Sequence, residues 1–541
     1  MWGTQLKDMD RRYLPVLFIL PLVYVALIFW LRQTAGSFSH WYSIDPNIRY
    51  LLDSLNILAL NAPGNVDHPG ATVQWFGAFI LKLLNPFSSS QDITMAALSD
   101  TDGSLMPILM GLAAVTALTM LFAGVAAVSV TGSLVPAVLI QMAPFLSRIL
   151  TKNAMDVKPV ALLIASVLVT AAVVFYALRP GSLERNKTAY AWVFGLIGGF
   201  SVATKITAAP ILILPVFLLW GLRPLFHYGL ACAVGFAIFA LPTLFQFEQF
   251  AGWIFKVAMG SGAYGGGEVS VINFDAYPRS LYKLLSRPIT FIPIVASLVA
   301  LVVAWRQRSR VADYPSLELK ALMGVTLAQF AQIVLVAKHP SAHYIVSALA
   351  LSGLSLGLLY LVFRRLELWS ENSRLWAFRV FLVLIAALMI SRVPSAMKVH
   401  REMADKKAYA LALDDSRFDQ CLKVYGLFAS NQAFAMIYGN LLVAEGFSKE
   451  LTALLPKNSV AHLSYRNETR QASGVVDVAA LAKEYKCFYG RASQEHGLSD
   501  SVAALLRRSV PGIELSDSCS NGYERVFTAG VDCQGQMLDR P

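Results

Sequence analysis

A polar segment that carries carboxylates interrupts the apolar first part of the chain. It contains Tyr42-Ser43-Ile44-Asp45-Pro46 and, further on, Val66-Asp67-His68-Pro69-Gly70. Ionisable side chains at a membrane surface cost free energy to desolvate, so a cluster of them is by default a hypothesis for a functional site. A substrate carried by a lipid could reach this cluster from the bilayer. We therefore expect a reaction site here.

Further polar residues occur at three later places in the apolar part. Lys152 and Lys158 lie in the loop 150–158, Lys205 stands within an apolar stretch, and His339 and His343 flank a proline. A departing lipid phosphate is anionic and needs cations or a metal, and these residues, together with His68, could bind it. Lys205 could equally extend to the lipid headgroups. The two histidines would share one face only if this segment were helical, which the proline opposes.

Two aspartates are candidate metal ligands. Asp67 and Asp156 could hold a divalent cation (Mg, Mn or Zn) through hard oxygen ligation, together with His68. The alternative is a salt bridge with Lys152 or Lys158, or solvation by water. The sequence leaves both possibilities open.

The composition requires a membrane to hold these residues. Of 541 residues, 56% are hydrophobic and only 15% are charged, with a mean hydropathy of +0.55. An ordinary soluble domain carries about 25% charged residues. The apolar residues occur in long runs, which predict about eleven transmembrane helices. The predicted spans are 14–31, 105–130, 134–149, 159–178, 189–204, 206–221, 226–246, 289–305, 318–337, 342–363 and 375–393.

The charge distribution predicts the orientation. Residues 400–541 hold 16 Lys/Arg and 17 Asp/Glu, so of the totals of 45 and 34 the first 399 residues hold 29 and 17. This excess of basic residues fits loops on the cytoplasmic side and contact with anionic lipid. The tail has no basic patch interleaved with aromatic residues, which argues against nucleic-acid binding. Basic residues before the first run place the N-terminus inside, and eleven spans then place the tail outside.

Two further segments bear on this count. The run 71–84 is short and is interrupted by polar residues. We predict that it is an interfacial helix on the outer surface. The first run is long for a signal peptide, so we interpret it as a span. The largest inter-span outer loops are then 32–104 and 247–288. Because the outer face lacks nucleotide sugars and ATP, an enzyme there must use a lipid-linked or exported substrate.

The loop 247–288 contains three successive glycines after Tyr264. Glycine repeats do not specify one backbone path. This loop, with Tyr264, could be a lid that orders over a substrate, or it could be a flexible linker. No Gly-Lys-Ser/Thr follows it, so it is not a phosphate-binding loop of the nucleotide-binding kind.

The tail reads as a small α/β layer domain. Strands are expected at 421–429, 458–465 and 487–490, with helices at 431–444, 475–485 and 499–508. Its four cysteines fit two disulfides in an oxidising compartment, and of the three connectivities we expect 421–487 with 519–533. This domain could recognise the acceptor or a partner, or it could only stabilise the membrane part.

The order of these motifs resembles the GT-C superfamily of membrane glycosyltransferases, in the branch of the protein O-mannosyltransferases and aminoarabinose transferases. Asp45 occupies the place of the catalytic aspartate in the first outer loop. Asp67-His68-Pro69 is similar to the acidic–basic–Pro element that opens a juxtamembrane helix, and Asp156 to an aspartate of the second outer loop. Thr204-Lys205 and Lys338-His339-Pro340-Ser341-Ala342-His343-Tyr344 resemble the two later elements. The resemblance covers about residues 10–395.

This resemblance implies a reaction. Asp45 would act as the base that takes the proton of the acceptor hydroxyl, while a polyprenyl phosphate leaves the sugar with inversion at the anomeric carbon. The alternative for Asp45 is to cap the helix that starts near Asn47. His68, Lys152, Lys205, His339, His343 and Tyr264 would contact substrate or phosphate.

The sequence thus predicts a polytopic α-helical membrane protein with a C-terminal soluble α/β domain, divided into 1–395 and 396–541. The predicted activity is sugar transfer from a polyprenyl-phosphate-linked donor to a lipid, glycan or protein acceptor on the extracytoplasmic face. We expect a multi-pass protein of a bacterial inner membrane that contacts membrane lipids, with its tail in the periplasm. The alternatives are a polymerase or ligase that uses a lipid-pyrophosphate-linked glycan, and a transporter or flippase. A transporter predicts internal repeats, of which the sequence shows none.

Overall fold

The chain forms two compact units. The structure, a computed structural model, describes residues 13–67, 70–260, 272–309, 314–365, 376, 379–380, 383, 386–388, 390–494, 497–517 and 519–531. Unit 1 comprises Met1–Phe29, Val66–Val73 and Met110–Met397, and unit 2 comprises Trp30–Asn65, Gln74–Leu109 and Lys398–Pro541. The domain boundary that the sequence places at 395/396 stays a prediction, and unit 2 also includes most of the segment 32–104.

Most of the described chain is helical. In chain order the α-helices are α1 (Leu14–Ala35), α2 (Ile44–Leu58), α3 (Ala71–Leu84), α4 (Ser90–Ser99), α5 (Thr101–Thr131), α6 (Leu134–Gln141), α7 (Arg148–Ala154), α8 (Val160–Ala177), α9 (Ser182–Arg185), α10 (Lys187–Thr204), α11 (Ile213–Leu218), α12 (Leu222–Phe239), α13 (Leu241–Leu244), α14 (Phe247–Met259), α15 (Tyr277–Leu285), α16 (Pro288–Arg306), α17 (Leu317–Ala337), α18 (Val346–Arg365), α19 (Arg392–Leu411), α20 (Gln432–Leu442), α21 (Ser448–Leu454), α22 (Val478–Leu481) and α23 (Leu498–Ser509). Short 3₁₀ helices occur at Ala143–Phe145, Ile206–Leu212, Ala342–Tyr344, Ser416–Phe418 and Ala482–Glu484.

The chain is a multi-pass membrane protein. Among the described residues, seven helices are long and apolar enough to cross a membrane, namely α1, α5, α8, α12, α16, α17 and α18. Each overlaps a predicted span, which confirms the polytopic helical fold. The structure does not test the count of eleven.

The other predicted spans have different outcomes. The run 134–149 is divided into α6, the 3₁₀ helix after it and the start of α7. The run 206–221 is a 3₁₀ segment followed by α11, and 189–204 lies within α10. The run 375–393 lies partly outside the described residues, so its prediction as a span is not tested. The helix expected at 71–84 is present as α3.

Glycines allow close packing inside unit 1. A Cβ on Gly195 of α10 would lie 2.5 Å from the Ala231 Cβ of α12, and one on Gly199 would lie 2.4 Å from the Phe236 nitrogen. Any larger residue would push these two helices apart. Small residues at such contacts are typical of helix packing in membranes, where backbones approach closely. This packing fixes the helix whose last residue precedes Lys205.

Unit 2 contains a mixed six-stranded sheet. Its strands are β1 (Leu422–Gly426), β2 (Ser459–Leu463), β3 (Glu468–Gln471), β4 (Gly474–Val475), β5 (Phe488–Ser493) and β6 (Glu524–Ala529), in the spatial order β4-β3-β2-β1-β5-β6. The central strand β1 is parallel to β2 and β5, whereas β3, β4 and β6 add antiparallel pairs at the edges. Buried apolar side chains of the sheet pack against those of α22 and α23.

The predicted α/β layer domain is therefore confirmed. The strands expected near 421, 458 and 487 are β1, β2 and β5, and the helices expected at 431–444, 475–485 and 499–508 overlap α20, α22 and α23. The sequence missed α21, the β3–β4 hairpin and the edge strand β6.

The disulfide expected between Cys421 and Cys487 is confirmed. It joins the parallel neighbours β1 and β5, in which Leu422 is paired with Phe488. Cys519 is also disulfide-bonded. Cys533, its expected partner, lies outside the described residues.

The segment 32–104 contributes helices to unit 2. A Cβ on Gly439 of α20 would lie 2.6 Å from Ile48 Cγ2 and 3.1 Å from Leu52 Cδ1, so α2 packs closely on α20 at this glycine. The buried face of α2 includes Ile48, Leu51, Leu52 and Leu55. This contact positions the helix that begins beside Asp45.

Candidate active site

Lys205 stands where a helix of unit 1 ends and the chain changes its path. The helix α10 ends at Thr204, Lys205 has an extended backbone, and a 3₁₀ helix follows. The side chain is buried, with 7% of the residue exposed. Its Nζ lies 4.6 Å from the centre of the Tyr344 ring. A buried ammonium over an aromatic face is stabilised by the ring quadrupole, so this lysine is held in place.

A second lysine belongs to the same group. Lys158 follows α7, just before Pro159 starts the next helix, and its Nζ lies 2.8 Å from Asp156 Oδ2. The helix α7 contacts the 3₁₀ helix that contains His343. The charges of Lys205 and Lys158 both act on His343. Unit 1 thus brings Lys158, Asp156, Lys205, His343 and Tyr344 together.

His343 is neutral in this group. Burial chiefly, and then the charges of Lys205 and Lys158, lower the pKa of its imidazole to about 4. Its Nδ1 lies 2.7 Å from the hydroxyl of Ser341. A neutral imidazole offers a hydrogen bond rather than a charge. The two lysines and Asp156 leave the group with a net charge of about +1, and we call it the lysine cluster.

His339 does not form a helical pair with His343. The helix α17 ends at Ala337, and the chain is not helical again until the 3₁₀ helix at Ala342. His339 is half-buried, and burial chiefly lowers its pKa. Its Nε2 is buried and has no hydrogen-bond partner among the described residues. The shared helical face considered from the sequence is therefore absent.

Asp67 belongs to Val66–Val73, the short segment of 32–104 that is part of unit 1. Five residues after it, Thr72 Oγ1 donates a hydrogen bond of 2.9 Å to Thr204 Oγ1, next to Lys205. His68 lies outside the described residues, as does Tyr264. Lys152 lies in the last turn of α7.

The aspartates do not form a complete metal site within the described chain. Asp156 is paired with Lys158, which was the alternative considered from the sequence. Over the described ranges, no group of three or more His, Cys, Asp or Glu side chains could hold a metal ion. His68, the third ligand expected from the sequence, lies outside the described residues, so the metal site stays a prediction and we derive no step through a metal.

Asp45 lies at the start of α2 in unit 2. Its backbone is not helical, with φ −98° and ψ 125°, and 40% of its side chain is exposed. Arg49 Nη2 lies 3.8 Å from its Oδ1. Among the described residues, no backbone N–H donates to this carboxylate, so the helix-cap alternative has no hydrogen bond to support it. An exposed carboxylate beside an arginine is able to accept a proton from a hydroxyl.

One carboxylate of α2 was missed in the sequence. Asp53 is fully buried, and its two oxygens accept hydrogen bonds from the Gly64 N–H at 2.8 Å and from Gln74 Nε2 at 3.0 Å. Gln74 Nε2 also donates to the Asn65 carbonyl at 3.0 Å. Burial raises the pKa of Asp53 to about 7. The signal was an aspartate within the apolar run Tyr50-Leu51-Leu52-Asp53.

Comparison with known proteins gives one kind of match. No protein-family model matches the chain, and no curated protein matches it. The chain is similar to the crystal structure of ArnT from Cupriavidus metallidurans bound to undecaprenyl phosphate, with 14% identity and a TM-score of 0.49 over 95% of this chain and 98% of that chain. The apo structure of the same protein gives 14% identity and a TM-score of 0.48 over 94% and 97%.

Proposed function

We propose that this protein is a membrane glycosyltransferase that moves a sugar from a polyprenyl-phosphate-linked donor to a lipid, glycan or protein acceptor. The observation that carries the proposal is the lysine cluster. It places Lys205 over the ring of Tyr344 at the end of α10, and the charges of Lys205 and Lys158 both act on the neutral His343.

The cluster is suited to the phosphate of the donor. Buried cations bind phosphate oxygens through charge-assisted hydrogen bonds, which are stronger than neutral ones. Charge builds up on the phosphate as the sugar leaves, so fixed cations stabilise the transition state more than the ground state. Lys205 and Lys158 supply the charge, and His343 can donate a hydrogen bond because it is uncharged.

An apolar groove of about 480 Å³ in unit 1 is suited to the lipid chain. It is lined by Ala209, Pro210, Phe330, Ala331, Val334 and Leu335. The first two belong to the 3₁₀ helix that begins directly after Lys205, and the others lie on α17. An isoprenoid chain would bury apolar surface there at about 25 cal/mol per Å² while its phosphate lies at the lysine cluster.

Asp45 keeps its predicted role as the base in this proposal. In the transfer step, the bond between the anomeric carbon and the phosphate oxygen breaks, and its electron pair leaves with polyprenyl phosphate. The acceptor oxygen bonds to the anomeric carbon from the opposite face, and its proton goes to the Asp45 carboxylate. The exposure of Asp45 and the lack of a capping hydrogen bond among the described residues support this role.

The disulfides support a reaction on the extracytoplasmic face. Cys421 and Cys487 form a disulfide in unit 2, and Cys519 is disulfide-bonded as well. Disulfides persist in oxidising compartments such as the bacterial periplasm and are rare in the cytosol. The charge distribution supports the same orientation, because the basic excess belongs to residues 1–399. We therefore propose a bacterial inner-membrane protein with its tail in the periplasm.

The proposal is tested by the turnover of a panel of polyprenyl-phosphate sugars by the purified protein in nanodiscs. The readout is release of free polyprenyl phosphate in the presence of an acceptor extract. The Asp45→Asn variant should lose turnover by at least about 100-fold, since general base catalysis contributes about 10²–10⁴. The matched control is Asp405→Asn, which alters an exposed carboxylate of α19.

Each of the other possible results of this assay would contradict a different part of the proposed function. Turnover that survives Asp45→Asn while donor affinity is unchanged would retain the activity and remove Asp45 as the base. Turnover only with pyrophosphate-linked glycans would favour the polymerase or ligase alternative. Movement of a lipid-linked sugar across the membrane without release of polyprenyl phosphate would favour a flippase.

A further inference from the structure

Unit 2 contains a polar cavity that the proposed reaction does not use. Its volume is about 280 Å³, near the lower end of the ~300–1,000 Å³ typical of small-ligand sites. Three segments of unit 2 form it: 37–40, 99–102 and 430–432. Nearly all of its lining side chains carry hydroxyl, amide or carboxylate groups, so the cavity differs from the apolar groove of unit 1.

Two carboxylates are fixed at the wall of this cavity by backbone amides. Asp100 Oδ1 accepts the Gly103 N–H at 2.8 Å, and Asp102 Oδ1 accepts the Phe38 N–H at 2.9 Å. Each therefore has one oxygen held and one that has no hydrogen-bond partner in the described chain. A carboxylate held in this way offers a directed acceptor at little conformational cost.

Two deeply buried hydroxyls also line the cavity. Ser39 is 6% exposed and Thr101 is 3% exposed. Within the described ranges, neither hydroxyl has a hydrogen-bond partner. Neither hydroxyl oxygen is completely enclosed by protein atoms, so a molecule in the cavity can reach it. A buried polar group usually has a partner, because an unsatisfied one costs about 1–3 kcal/mol. Both hydroxyls therefore point to a hydrogen-bonding ligand or water in the cavity.

The charge of the cavity selects the ligand. Asp100 and Asp102 carry negative charge, and no lysine or arginine is among the lining residues. His40 also lines the cavity; its Nδ1 lies 3.0 Å from the Tyr42 hydroxyl, and burial chiefly lowers its pKa, so it is neutral. The two carboxylates would repel a phosphate or a uronate, and they would attract hydroxyl or ammonium donors.

From this geometry we propose that the cavity binds a saccharide that is neutral or carries an amine, as part of the acceptor. The sugar hydroxyls donate to the second oxygens of Asp100 and Asp102, while the hydroxyls of Ser39 and Thr101 complete the hydrogen bonds. The assignment of this saccharide to the acceptor rests on the proposed function. The binding of a saccharide in the cavity does not depend on it. The cavity is then an acceptor subsite distinct from the lipid-phosphate site in unit 1.

Calorimetric titration of the full-length protein in nanodiscs tests the inference. The probes are cellobiose, the dimer of glucosamine, and cellobiouronic acid as the anionic control. Wild type should bind at least one of the first two probes and not the third. Asp102→Asn, which keeps an oxygen for the Phe38 N–H, should weaken binding by about tenfold, because a hydrogen bond to a charged group is worth about 1.5–3 kcal/mol. Asp405→Asn should leave it unchanged.

The outcomes separate this inference from the proposed function. Saccharide binding that falls in Asp102→Asn supports the cavity even if no donor is turned over. No binding of either probe by wild type, or equal affinities of wild type and Asp102→Asn, would overturn it even if donor turnover is normal. In a transfer assay, Asp102→Asn should raise KM for a saccharide acceptor and leave KM for the lipid donor unchanged. A fall in kcat alone would contradict a binding role.

Discussion

The buried carboxyl of Asp53 should make the stability of unit 2 depend on pH. Asp53 joins α2 to the loop residue Gly64 and to Gln74 of α3 through hydrogen bonds. The change that tests this is Asp53→Asn, whose amide oxygen can still accept the Gly64 N–H but which cannot ionise. The helix that begins beside Asp45 would then be held without a titrating group.

The size of the expected change in stability follows from the pKa of Asp53. Burial raises the pKa of Asp53 from 3.8 to about 7, although hydrogen bonds from Gly64 and Asn56 and the charge of Arg49 lower it. One pKa unit corresponds to about 1.4 kcal/mol, so ionisation costs the folded unit about 4 kcal/mol. Because the folded state keeps this proton to higher pH than the unfolded state, the stability is present below about pH 4 and is lost as the pH rises through about 7.

The assay is the unfolding temperature of unit 2 from pH 4 to pH 8. For a unit of this size, about 4 kcal/mol corresponds to about 10 °C, and wild type should lose that much more than Asp53→Asn across the range. Amide hydrogen exchange in α2 should show the same difference locally. Asp405→Asn serves as the control, since its carboxylate is exposed. Parallel pH profiles for wild type and Asp53→Asn would refute the reasoning.

Two further predictions concern unit 2. The disulfide between Cys421 and Cys487 has a sequence separation of 66, so replacing both with alanine should lower the free energy of unfolding by about 4 kcal/mol, measured as a lower urea midpoint; an unchanged midpoint would contradict this. Arg491 Nη2 lies 2.7 Å from Glu524 Oε2, and both side chains are buried. Arg491→Met should therefore destabilise the unit by about 3–5 kcal/mol, and the double variant with Glu524→Gln should recover part of that loss; no recovery would show that the lost ion pair is not the cause.

The membrane helices and the main strands could be predicted from the sequence because their signals are local. Apolar runs predict the spans, and β1, β2 and β5 are apolar segments bounded by turns. The hairpin of β3 and β4 was missed because Glu468–Gln471 is polar and does not alternate. The division of 134–149 was missed because hydropathy does not report where a helix breaks.

The site could be predicted only in part. The motifs name Lys205, Asp156 and His343 individually, and the structure brings these three together from segments far apart in the chain. Lys158, the lysine that pairs with Asp156, was considered as a cation for the phosphate and as an alternative partner of Asp156, but it was not among the predicted site residues. The packing of α2 on α20 depends on Gly439, and a contact over that sequence distance leaves no local pattern.

The lysine cluster is the central claim, and the affinity for polyprenyl phosphate tests it most directly. The comparison is between wild type and Lys205→Met in nanodiscs, with Lys187→Met at the other end of α10 as the matched control. A charge-assisted hydrogen bond is worth about 1.5–3 kcal/mol, so Lys205→Met should weaken binding by roughly 10- to 150-fold. The control should bind like wild type. Equal affinities of wild type and Lys205→Met, with both proteins folded, would contradict the account.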